Sequence, residues 1–273
     1  MKKMLFAAFA ALLALVACDR FQEFTFVQLS DTQIGFIDDS PQFTHPDSLM
    51  KAAVDAVNAL DPALVVITGD LVNEPYNPVQ DSVYRVRKAE LQPPVYEVPG
   101  NHDILPYSEE NHAHYLELRG YDRFCFREKG CAFIGIDSNC IVDGAGEAEE
   151  EQLRWLADAL ASARKARYTF VFLHCPIVRE RADEPSDHFN FPVGKREKYL
   201  ALFKENGVDA VFAGHCHQDW TGSYEGMGLY TAGPVCNALG HGTPGYNVVK
   251  VTREGVSVQY VPTPGVDPTH CRF

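Results

Sequence analysis

Short apolar runs alternate with amphipathic segments along most of the chain, and this pattern predicts strands and helices in turn. Runs rich in β-branched and aromatic residues predict buried strands over 24–29, 64–68, 95–98, 168–173 and 208–213. Apolar residues at three- and four-residue spacing predict helices over 45–60, 80–91, 147–165 and 195–206. Strands and helices that alternate in this way are typical of the α/β class.

Two further groups of strands interrupt the alternation. Apolar runs at 124–126 and 132–136, joined by a short polar turn, predict a β-hairpin. The last third of the chain has strand-like runs at 229–231, 247–251 and 256–261, which we assign to a second, more antiparallel sheet. The expected fold class is therefore α/β (α+β), with two mixed β-sheets packed face to face and helices on the outside.

The first residues have the pattern of an export signal. Lys2 and Lys3 precede an apolar run over 4–17, which has the length of a signal-peptide core and is short for a membrane-spanning helix. The run ends in Leu-Val-Ala-Cys at Cys18, which resembles a bacterial lipobox. The resemblance implies that residues 1–17 are a lipoprotein signal peptide, that Cys18 is lipidated, and that residues 18–273 form one exported domain anchored to a bacterial membrane. An uncleaved anchor or a plain secretory signal are the alternatives.

Composition narrows the class of partner. With 273 residues, of which 46% are hydrophobic, the chain can bury a sizeable core. A formal net charge of -13 suits nucleic acid poorly, so we expect no nucleic-acid partner and membrane contact only through the lipid. Cys125 and Cys131 flank the predicted hairpin turn, where they form either a disulfide or a pair of small buried side chains.

Carboxylate, amide or imidazole side chains follow several of the predicted strands. These residues are Asp31, Asp70, Asn101, His174, His215 and His217. In an open α/β sheet, ligands bind at the carboxyl ends of the strands, so these side chains are expected to meet there. Oxygen and imidazole ligands without thiolate suit Mn, Fe, Mg or Zn. A carboxylate shared by two such ions is typical of phosphoryl-transfer enzymes.

The order of these motifs resembles that of the calcineurin-like metallophosphoesterases. The motifs are Asp31-x-Gln33, Gly69-Asp70, Gly100-Asn101-His102-Asp103, His174 and Gly214-His215-x-His217. Within that superfamily the chain looks most like the calcineurin-like phosphoesterase domain-containing protein 1 group, also called complete S-transactivated protein 1. The resemblance implies a four-layer metallophosphoesterase sandwich.

The resemblance also implies a role for each motif residue. One metal ion would be held by Asp31, Gln33, Asp70 and His217, and the other by Asp70, Asn101, His174 and His215. A hydroxide between the two ions would attack phosphorus, His102 would donate a proton to the leaving group, and Asp103 would orient His102. Most of the superfamily has histidine where this chain has Gln33. An amide is a harder ligand, which favours Mn, Mg or Fe over Zn, and of the four metals we expect Mn or Fe.

Other polar residues carry weaker expectations. Asn139 and Asn190 are expected to reach the substrate from loops over the site. His112 and His114 lie in a polar helical segment and are expected to be solvated rather than to bind metal.

The leading hypothesis is a dinuclear metal-dependent hydrolase of phosphomonoesters, including phosphoserine or phosphothreonine, which acts on a small phosphoester or a phosphoprotein. The first alternative is an Mn-dependent pyrophosphatase of the ADP-ribose or CDP-alcohol type, or a phosphodiesterase. The second, from another class, is a surface lipoprotein that binds metal or a partner without catalysis.

Overall fold

The computed structural model describes residues 20–37, 40, 42–104 and 106–266, so the predicted signal peptide and Cys18 lie outside the described residues. The strands of the described part are β1 (Phe24–Leu29), β2 (Val65–Thr68), β3 (Val95–Val98), β4 (Phe124–Glu128), β5 (Cys131–Gly135), β6 (Thr169–Phe172), β7 (Ala210–Ala213), β8 (Trp220–Tyr224), β9 (Met227–Thr231), β10 (Gly245–Val251) and β11 (Val256–Pro262). The helices are α1 (Thr44–Leu60), α2 (Pro78–Ala89), α3 (Glu109–Arg119), α4 (Asn139–Val142), α5 (Gly146–Ala163) and α6 (Val193–Glu205).

The strands form two mixed sheets. The five-stranded sheet has the order β11-β10-β1-β2-β3, in which β1, β2 and β3 are parallel and β10 and β11 are antiparallel. The six-stranded sheet has the order β4-β5-β6-β7-β9-β8. Its strands β5, β6, β7 and β9 are parallel, and antiparallel β4 and β8 form the two edges.

Aromatic rings fill the space between the two sheets. Phe26 of β1 is fully buried, and its ring lies 5.4 Å from those of Phe133 and Phe170 and 5.6 Å from that of Phe212. These rings come from alternate positions of strands in both sheets, because side chains along a strand point to opposite faces in turn. Edge-to-face contacts add to the burial of this apolar area, so the core holds the two sheets in a fixed relation.

Helices cover the outer face of each sheet. Met50 and Val54 of α1 and Tyr84 of α2 pack on the five-stranded sheet, in a cluster with Leu29 and Ile67. On the other side, side chains of α5 and α6 pack on the six-stranded sheet; they are Leu156, Leu160, Tyr199, Leu200 and Phe203. The result is a helix–sheet–sheet–helix sandwich, which confirms the predicted fold class.

The grouping of the last strands differs from the prediction. We expected them to form a separate sheet, whereas β9 joins the sheet of β4–β7, β10 pairs with β1, and β11 pairs with β10. The strand β8 was not predicted, because its sequence WTGSY lacks an apolar run and its residues alternate between exposed and partly buried. Hydrophobic alternation reports which face of a strand is buried and carries no information on the neighbour it pairs with.

The cysteines of the described part are free, so the disulfide alternative for Cys125 and Cys131 is not formed. Across the hairpin, Cys125 lies opposite Ile134 and Cys131 lies opposite Glu128. Among the described helices, none is both long and apolar enough to cross a membrane.

The two sheets bring their strand ends together at one edge of the sandwich. The chain leaves β1, β2 and β3 of one sheet and β6 and β7 of the other beside the same cleft, and the loops bind one another through the backbone. The Asp31 N–H donates to the Gly69 carbonyl at 3.0 Å, and the Gly214 N–H donates to the His174 carbonyl at 2.9 Å. The fold therefore brings the predicted motifs to one place.

Candidate metal centre

The backbone is strained at most of the predicted ligands. Asp31, Gln33, Asp70, His215 and His217 all have positive φ, between 37° and 70°. This region costs free energy for residues other than glycine and persists only where the surrounding structure enforces it, which is common at functional sites. The turns after β1, β2 and β7 are thus built to aim side chains, at some cost to stability.

Close approach of the loops explains two glycines of the motifs. A Cβ atom at Gly100 would lie 2.2 Å from the backbone nitrogen and Oδ1 of Asp70. A Cβ atom at Gly214 would lie 1.8 Å from Ser30 Oγ and 2.7 Å from Asp31 Oδ2. Only residues without a side chain allow the backbone to pass this close to the two carboxylates.

Four side chains from different strand ends converge around His174. Its Nε2 lies 3.4 Å from Asp70 Oδ1, 3.0 Å from Asn101 Oδ1 and 3.1 Å from His215 Nδ1. Asp70, His174 and His215 are buried and meet the distance requirement for a shared metal ion. The carboxylate, amide and two imidazoles form the donor set that the sequence predicted for one ion.

The backbone fixes which nitrogens of these histidines carry hydrogen. His174 Nδ1 lies 2.8 Å from the Thr68 carbonyl, and His215 Nε2 lies 2.9 Å from the His188 carbonyl. A carbonyl can only accept, so in the neutral rings these nitrogens donate and the facing pair, His174 Nε2 and His215 Nδ1, carry lone pairs. Two lone pairs 3.1 Å apart repel unless a cation or a proton lies between them.

A second donor set lies beside the first. His217 Nε2 lies 3.6 Å from Asp31 Oδ1, and its Nδ1 lies 2.7 Å from the Asn237 carbonyl, which leaves a lone pair on Nε2 toward the carboxylate. Gln33 is buried; its Nε2 donates to Asn73 Oδ1 at 3.5 Å, and its Oε1 contacts the Cys236 thiol at 3.6 Å. Burial raises the pKa of that thiol well above its usual value, so the sulfur stays protonated.

Charges in the two sets act on each other. Burial raises the pKa of Asp31, and the neighbouring charge of Asp70 adds to this effect. Burial would raise the pKa of Asp70 as well, but the contact with His174 outweighs it and holds that pKa below its ordinary value. The same contact raises the pKa of His174 to about 9, whereas burial and the charge of His174 lower that of His215 to about 3. One proton thus occupies a site crowded with acceptors.

The geometry corrects the predicted role of Asp103. Its carboxylate accepts the N–H groups of Gly100 at 2.8 Å and of Leu71 at 3.0 Å, and it does not reach the His102 ring. The partner of His102 Nδ1 is the Asn73 carbonyl at 2.9 Å, which leaves Nε2 as the nitrogen available to a substrate. Asp103 therefore shapes the turn that carries His102, and burial beside Asp70 raises its pKa to about 7.

The two asparagines predicted to reach the substrate are engaged within the protein. Asn139 lies at the start of α4 rather than in a loop, and its amide donates to Asp137 Oδ1 at 2.8 Å and to the Gly100 carbonyl at 3.2 Å. The Asn190 amide donates to Glu184 Oε1 at 2.8 Å. Their role as substrate ligands stays a prediction.

His112 and His114 are partly exposed, as expected, but each ring also has a protein partner. His112 Nε2 lies 2.8 Å from Asp122 Oδ2, and the His112 side chain is 22% exposed. His114 Nε2 lies 3.1 Å from the Pro75 carbonyl, and its ring stacks on Tyr76. The polar sequence of α3 does not predict that the segments around Pro75 and Asp122 pack against its histidines.

Sequence reasoning missed the carbonyl groups that orient the site histidines. They belong to Thr68, Asn73, His188 and Asn237. Any residue type supplies a carbonyl, so no sequence signal could reveal them. The aromatic rings of Phe36, 5.3 Å from His217, and Phe189, 5.4 Å from His215, were also missed. Phe36 lies three residues after Gln33 and Phe189 directly precedes Asn190, and this proximity in sequence offered a signal.

Comparison with known proteins agrees with this geometry. The family model described as calcineurin-like phosphoesterase matches residues 24–219. The chain belongs to the calcineurin-like phosphoesterase family. Serine/threonine-protein phosphatase CPPED1 of Danio rerio is 31% identical over 262 residues, which cover 87% of this chain and 84% of the relative. The protein is therefore a hydrolase of phosphoester bonds, and the family resemblance drawn from its motifs is confirmed.

Solved metallophosphoesterase structures share the fold of this phosphoesterase. Purple acid phosphatase from yellow lupin (Lupinus luteus) seeds superposes with a TM-score of 0.71 at 16% identity, over 92% of this chain and 53% of the lupin chain. A dimetal phosphatase from Danio rerio superposes with a TM-score of 0.60 at 16% identity, over 88% and 99% of the two chains. At this level of identity, the similarity shows a shared double-sheet fold.

Proposed function

We propose that this phosphoesterase is a dinuclear metal-dependent hydrolase of phosphomonoesters. The observation that carries the proposal is the position of Asp70 between two donor sets. Its carboxylate lies 3.4 Å from His174 Nε2 in one set, and its backbone carbonyl accepts the N–H of Gln33 in the other at 2.8 Å. A carboxylate placed in this way can bind two cations at once, which is the arrangement that phosphoryl transfer uses.

The donors fit two cations. One would be held by Asp31, Gln33, Asp70 and His217 and the other by Asp70, Asn101, His174 and His215. The fit rests on the converging nitrogens: in the neutral rings, the facing nitrogens of His174 and His215 both carry lone pairs, because their other nitrogens donate to carbonyls. Bound cations would supply Lewis-acid activation of the attacking water and positive charge for the phosphoryl oxygens.

His102 is placed to serve the leaving group. Its Nδ1–H is held by the Asn73 carbonyl, so Nε2 is the atom that can carry a proton to a departing alkoxide. The His102 N–H donates to Asp70 Oδ1 at 2.8 Å, which ties the acid to the shared carboxylate. The non-catalytic alternative gives no reason for a partly exposed histidine fixed in this way.

The cations that we propose are Mn or Fe. The support is a donor set of carboxylates, imidazoles and the two neutral amides Gln33 and Asn101, in which the hard amide oxygens disfavour Zn. The nearby thiol of Cys236 does not change this preference, because burial keeps it protonated.

The substrate proposed is a phosphomonoester, including phosphoserine or phosphothreonine in a protein. The support is the relative from Danio rerio, which is named a serine/threonine-protein phosphatase and matches most of this chain. The Phe36 and Phe189 rings beside the ligand histidines form an apolar rim that suits an organic leaving group. A pyrophosphate or phosphodiester substrate is the alternative.

One assay tests this proposal. The protein loaded with Mn²⁺ is offered p-nitrophenyl phosphate, bis-p-nitrophenyl phosphate and ADP-ribose in parallel, with Asp70→Asn as the variant. We expect hydrolysis of the monoester to exceed that of the other two, and Asp70→Asn to abolish it. Faster hydrolysis of the diester or ADP-ribose would replace the monoester by the alternative substrate, and inactivity on all three would overturn the proposal.

We also propose that the protein is exported and anchored by lipid at Cys18. The support is the charged start, the apolar run and the Leu-Val-Ala-Cys ending of the first residues. Expression in a bacterium fed an alkyne analogue of palmitate should label the chain and place it in the membrane fraction. Cys18→Ala should remove the label, whereas Cys125→Ala should keep it. A label that persists in Cys18→Ala would contradict the anchor.

A further inference from the structure

A second group of metal-binding side chains lies outside the proposed phosphoesterase centre. His112 of α3, Asp122 of the segment after α3, and Asp137 of the loop after β5 each offer one ligand atom, and these atoms all lie within 4.8 Å of one another. His112 Nε2 and Asp122 Oδ2 are 2.8 Å apart. Their spacing in sequence gives no motif, so this group appears only in the folded chain.

Asp137 is the unusual member of the group. It is 1% exposed, and its Oδ1 accepts the backbone N–H and the amide of Asn139, both at 2.8 Å. Its Oδ2 is buried and has no hydrogen-bond partner among the described residues. A buried acceptor left in this state is destabilising, and more so if it is charged, so its retention requires an explanation.

The surroundings hold Asp137 in place. The Asp137 N–H donates to Gln152 Oε1, and the Gln152 amide donates back to the Asp137 carbonyl, both at 2.8 Å. Burial raises the pKa of the Asp137 carboxyl to about 7, and the charge of Asp122 adds to this effect, while Oδ2 lacks a hydrogen-bond partner among the described residues. A dication beside this oxygen would serve as its partner.

The group is open to solvent through a cleft of ≈ 490 Å³ that His112, Asp122 and Asp137 all line. Glu109, Glu147 and Glu151 also line the cleft, so its surface favours the entry of cations. Arg123 and Arg154 also line the cleft. Arg123 pairs with Glu151 at 2.7 Å and approaches Oδ1 of Asp122 at 3.4 Å, so it leaves Oδ2 to the group.

The ring of His112 is also fixed. The Tyr107 ring stacks on the His112 ring with centroids 5.6 Å apart, and this contact restricts the orientation of the imidazole. Two carboxylates and one neutral imidazole carry two negative charges, which a divalent cation balances. This set of ligands, with water completing the coordination, suits Zn²⁺ or Mn²⁺.

We propose that His112, Asp122 and Asp137 form a third cation site, which takes Zn²⁺ or Mn²⁺ and joins α3 to the end of β5. The site uses none of the residues of the proposed dinuclear centre, so it stands or fails separately from the proposed function. Asn139 connects the two, because its amide bridges Asp137 and the Gly100 carbonyl. A cation at this site would therefore stiffen the turn that carries His102.

Metal content tests the third site directly. Metal-free protein is dialysed against Zn²⁺ or Mn²⁺, and bound metal per chain is measured by mass spectrometry for wild type, His112→Ala and Asp122→Asn. We expect each variant to bind one ion fewer than wild type. His114→Ala, on the same helix but bound to the Pro75 carbonyl, is the matched control and should keep the wild-type count.

A second readout guards against variants that fold poorly. In protein with ¹⁵N-labelled histidine, Zn²⁺ should shift the ring nitrogen resonances of His112 and leave those of His114 in place. Equal metal content in wild type, His112→Ala and Asp122→Asn would overturn the proposal, and so would an unshifted His112 ring at saturating Zn²⁺.

Discussion

The tautomer of His102 decides how this residue can act. The Asn73 carbonyl accepts the hydrogen of Nδ1, so any proton passed to a leaving group comes from Nε2. Asp103 influences the reaction only through the turn, since it binds the backbone of Gly100 and Leu71. Of the two residues that the motif suggests as a catalytic pair, only His102 is therefore proposed as a proton donor, and Asp103 binds the backbone of the turn.

The acid role of His102 predicts an effect that depends on the leaving group. His102→Asn should lower kcat for phosphoserine by about 10²–10⁴-fold, because an alkoxide needs a proton as it leaves. The loss should be much smaller for p-nitrophenyl phosphate, whose leaving group is already stable as an anion. His114→Ala serves as the control. Equal losses on both substrates would assign His102 to phosphate binding instead of proton transfer.

In the proposed centre, Gln33 is the ligand that would set the metal preference. Its Nε2 donates to Asn73, so Oε1 is the atom left for a cation, and amide oxygen is a harder donor than imidazole. Gln33→His should therefore raise Zn²⁺ content relative to Mn²⁺ when the metal-free protein is offered both ions. Gln22→His, at an exposed position before β1, should leave the ratio unchanged. An unchanged ratio in Gln33→His would exclude this residue from the metal site.

At the scale of elements, the turns at the strand ends position the donor side chains. Gly100 illustrates how closely two of these turns approach each other. A methyl group there would meet Asp70 at 2.2 Å. Gly100→Ala should lower the free energy of unfolding by about 1–3 kcal/mol and remove bound metal, because the shared carboxylate has to move. Denaturant unfolding and metal analysis measure both effects.

Gly194 offers the matched control for Gly100→Ala. It lies in α6 with open space around its Cβ position. Gly194→Ala should keep the metal and raise the free energy of unfolding by up to about 1 kcal/mol, because alanine favours a helix. A Gly100→Ala variant that keeps its metal and activity would contradict the account of this turn.

The segment between β6 and α6 supplies the His188 carbonyl that orients His215. The Glu184 side chain stabilises this segment through several hydrogen bonds. The Glu184 carboxylate accepts N–H groups of Arg179 at 2.7 Å and Glu180 at 2.8 Å, and the amide of Asn190 at 2.8 Å. Partial burial alone would raise its pKa, but the backbone N–H groups outweigh this and lower it from 4.5. A lowered pKa means that the stabilisation is complete above pH 4.5 and is lost as the pH falls.

Hydrogen-exchange protection of residues 179–190 should accordingly decrease as the pH falls below 4.5. Glu184→Gln should show the reduced protection at every pH, since a neutral amide accepts these N–H groups more weakly. Asp183→Asn, whose side chain is 81% exposed, is the control and should behave as wild type. Protection independent of pH in the wild-type segment would contradict this role of Glu184.

At the scale of the whole molecule, the residues at the strand ends could be predicted from the sequence, whereas the pairing of distant strands could not. Asp31, Asp70, Asn101 and His174 could be found because each follows an apolar run, and the parallel topology then brings them to one edge. The pairing of β9 with β7 could not be found, because an apolar pattern specifies a buried face and not a neighbour.

Long-range contacts account for the other differences from the sequence predictions. No sequence signal identifies the partners of Asp103, because they are the backbone N–H groups of Leu71 and Gly100, which every residue type except proline has. His112 and Asp137 belong to distant segments that meet only when α3 packs beside β5. Composition and periodicity describe single elements, whereas these contacts arise between elements.

The central claim is that two cations share Asp70, and electron paramagnetic resonance of the Mn²⁺-loaded protein tests it most directly. Two Mn²⁺ ions bridged by one carboxylate couple magnetically, whereas an ion at the His112 site would give an isolated signal. The account predicts a coupled signal in wild type that disappears in Asp70→Asn. Only isolated Mn²⁺ signals in the wild-type protein at every loading would contradict it.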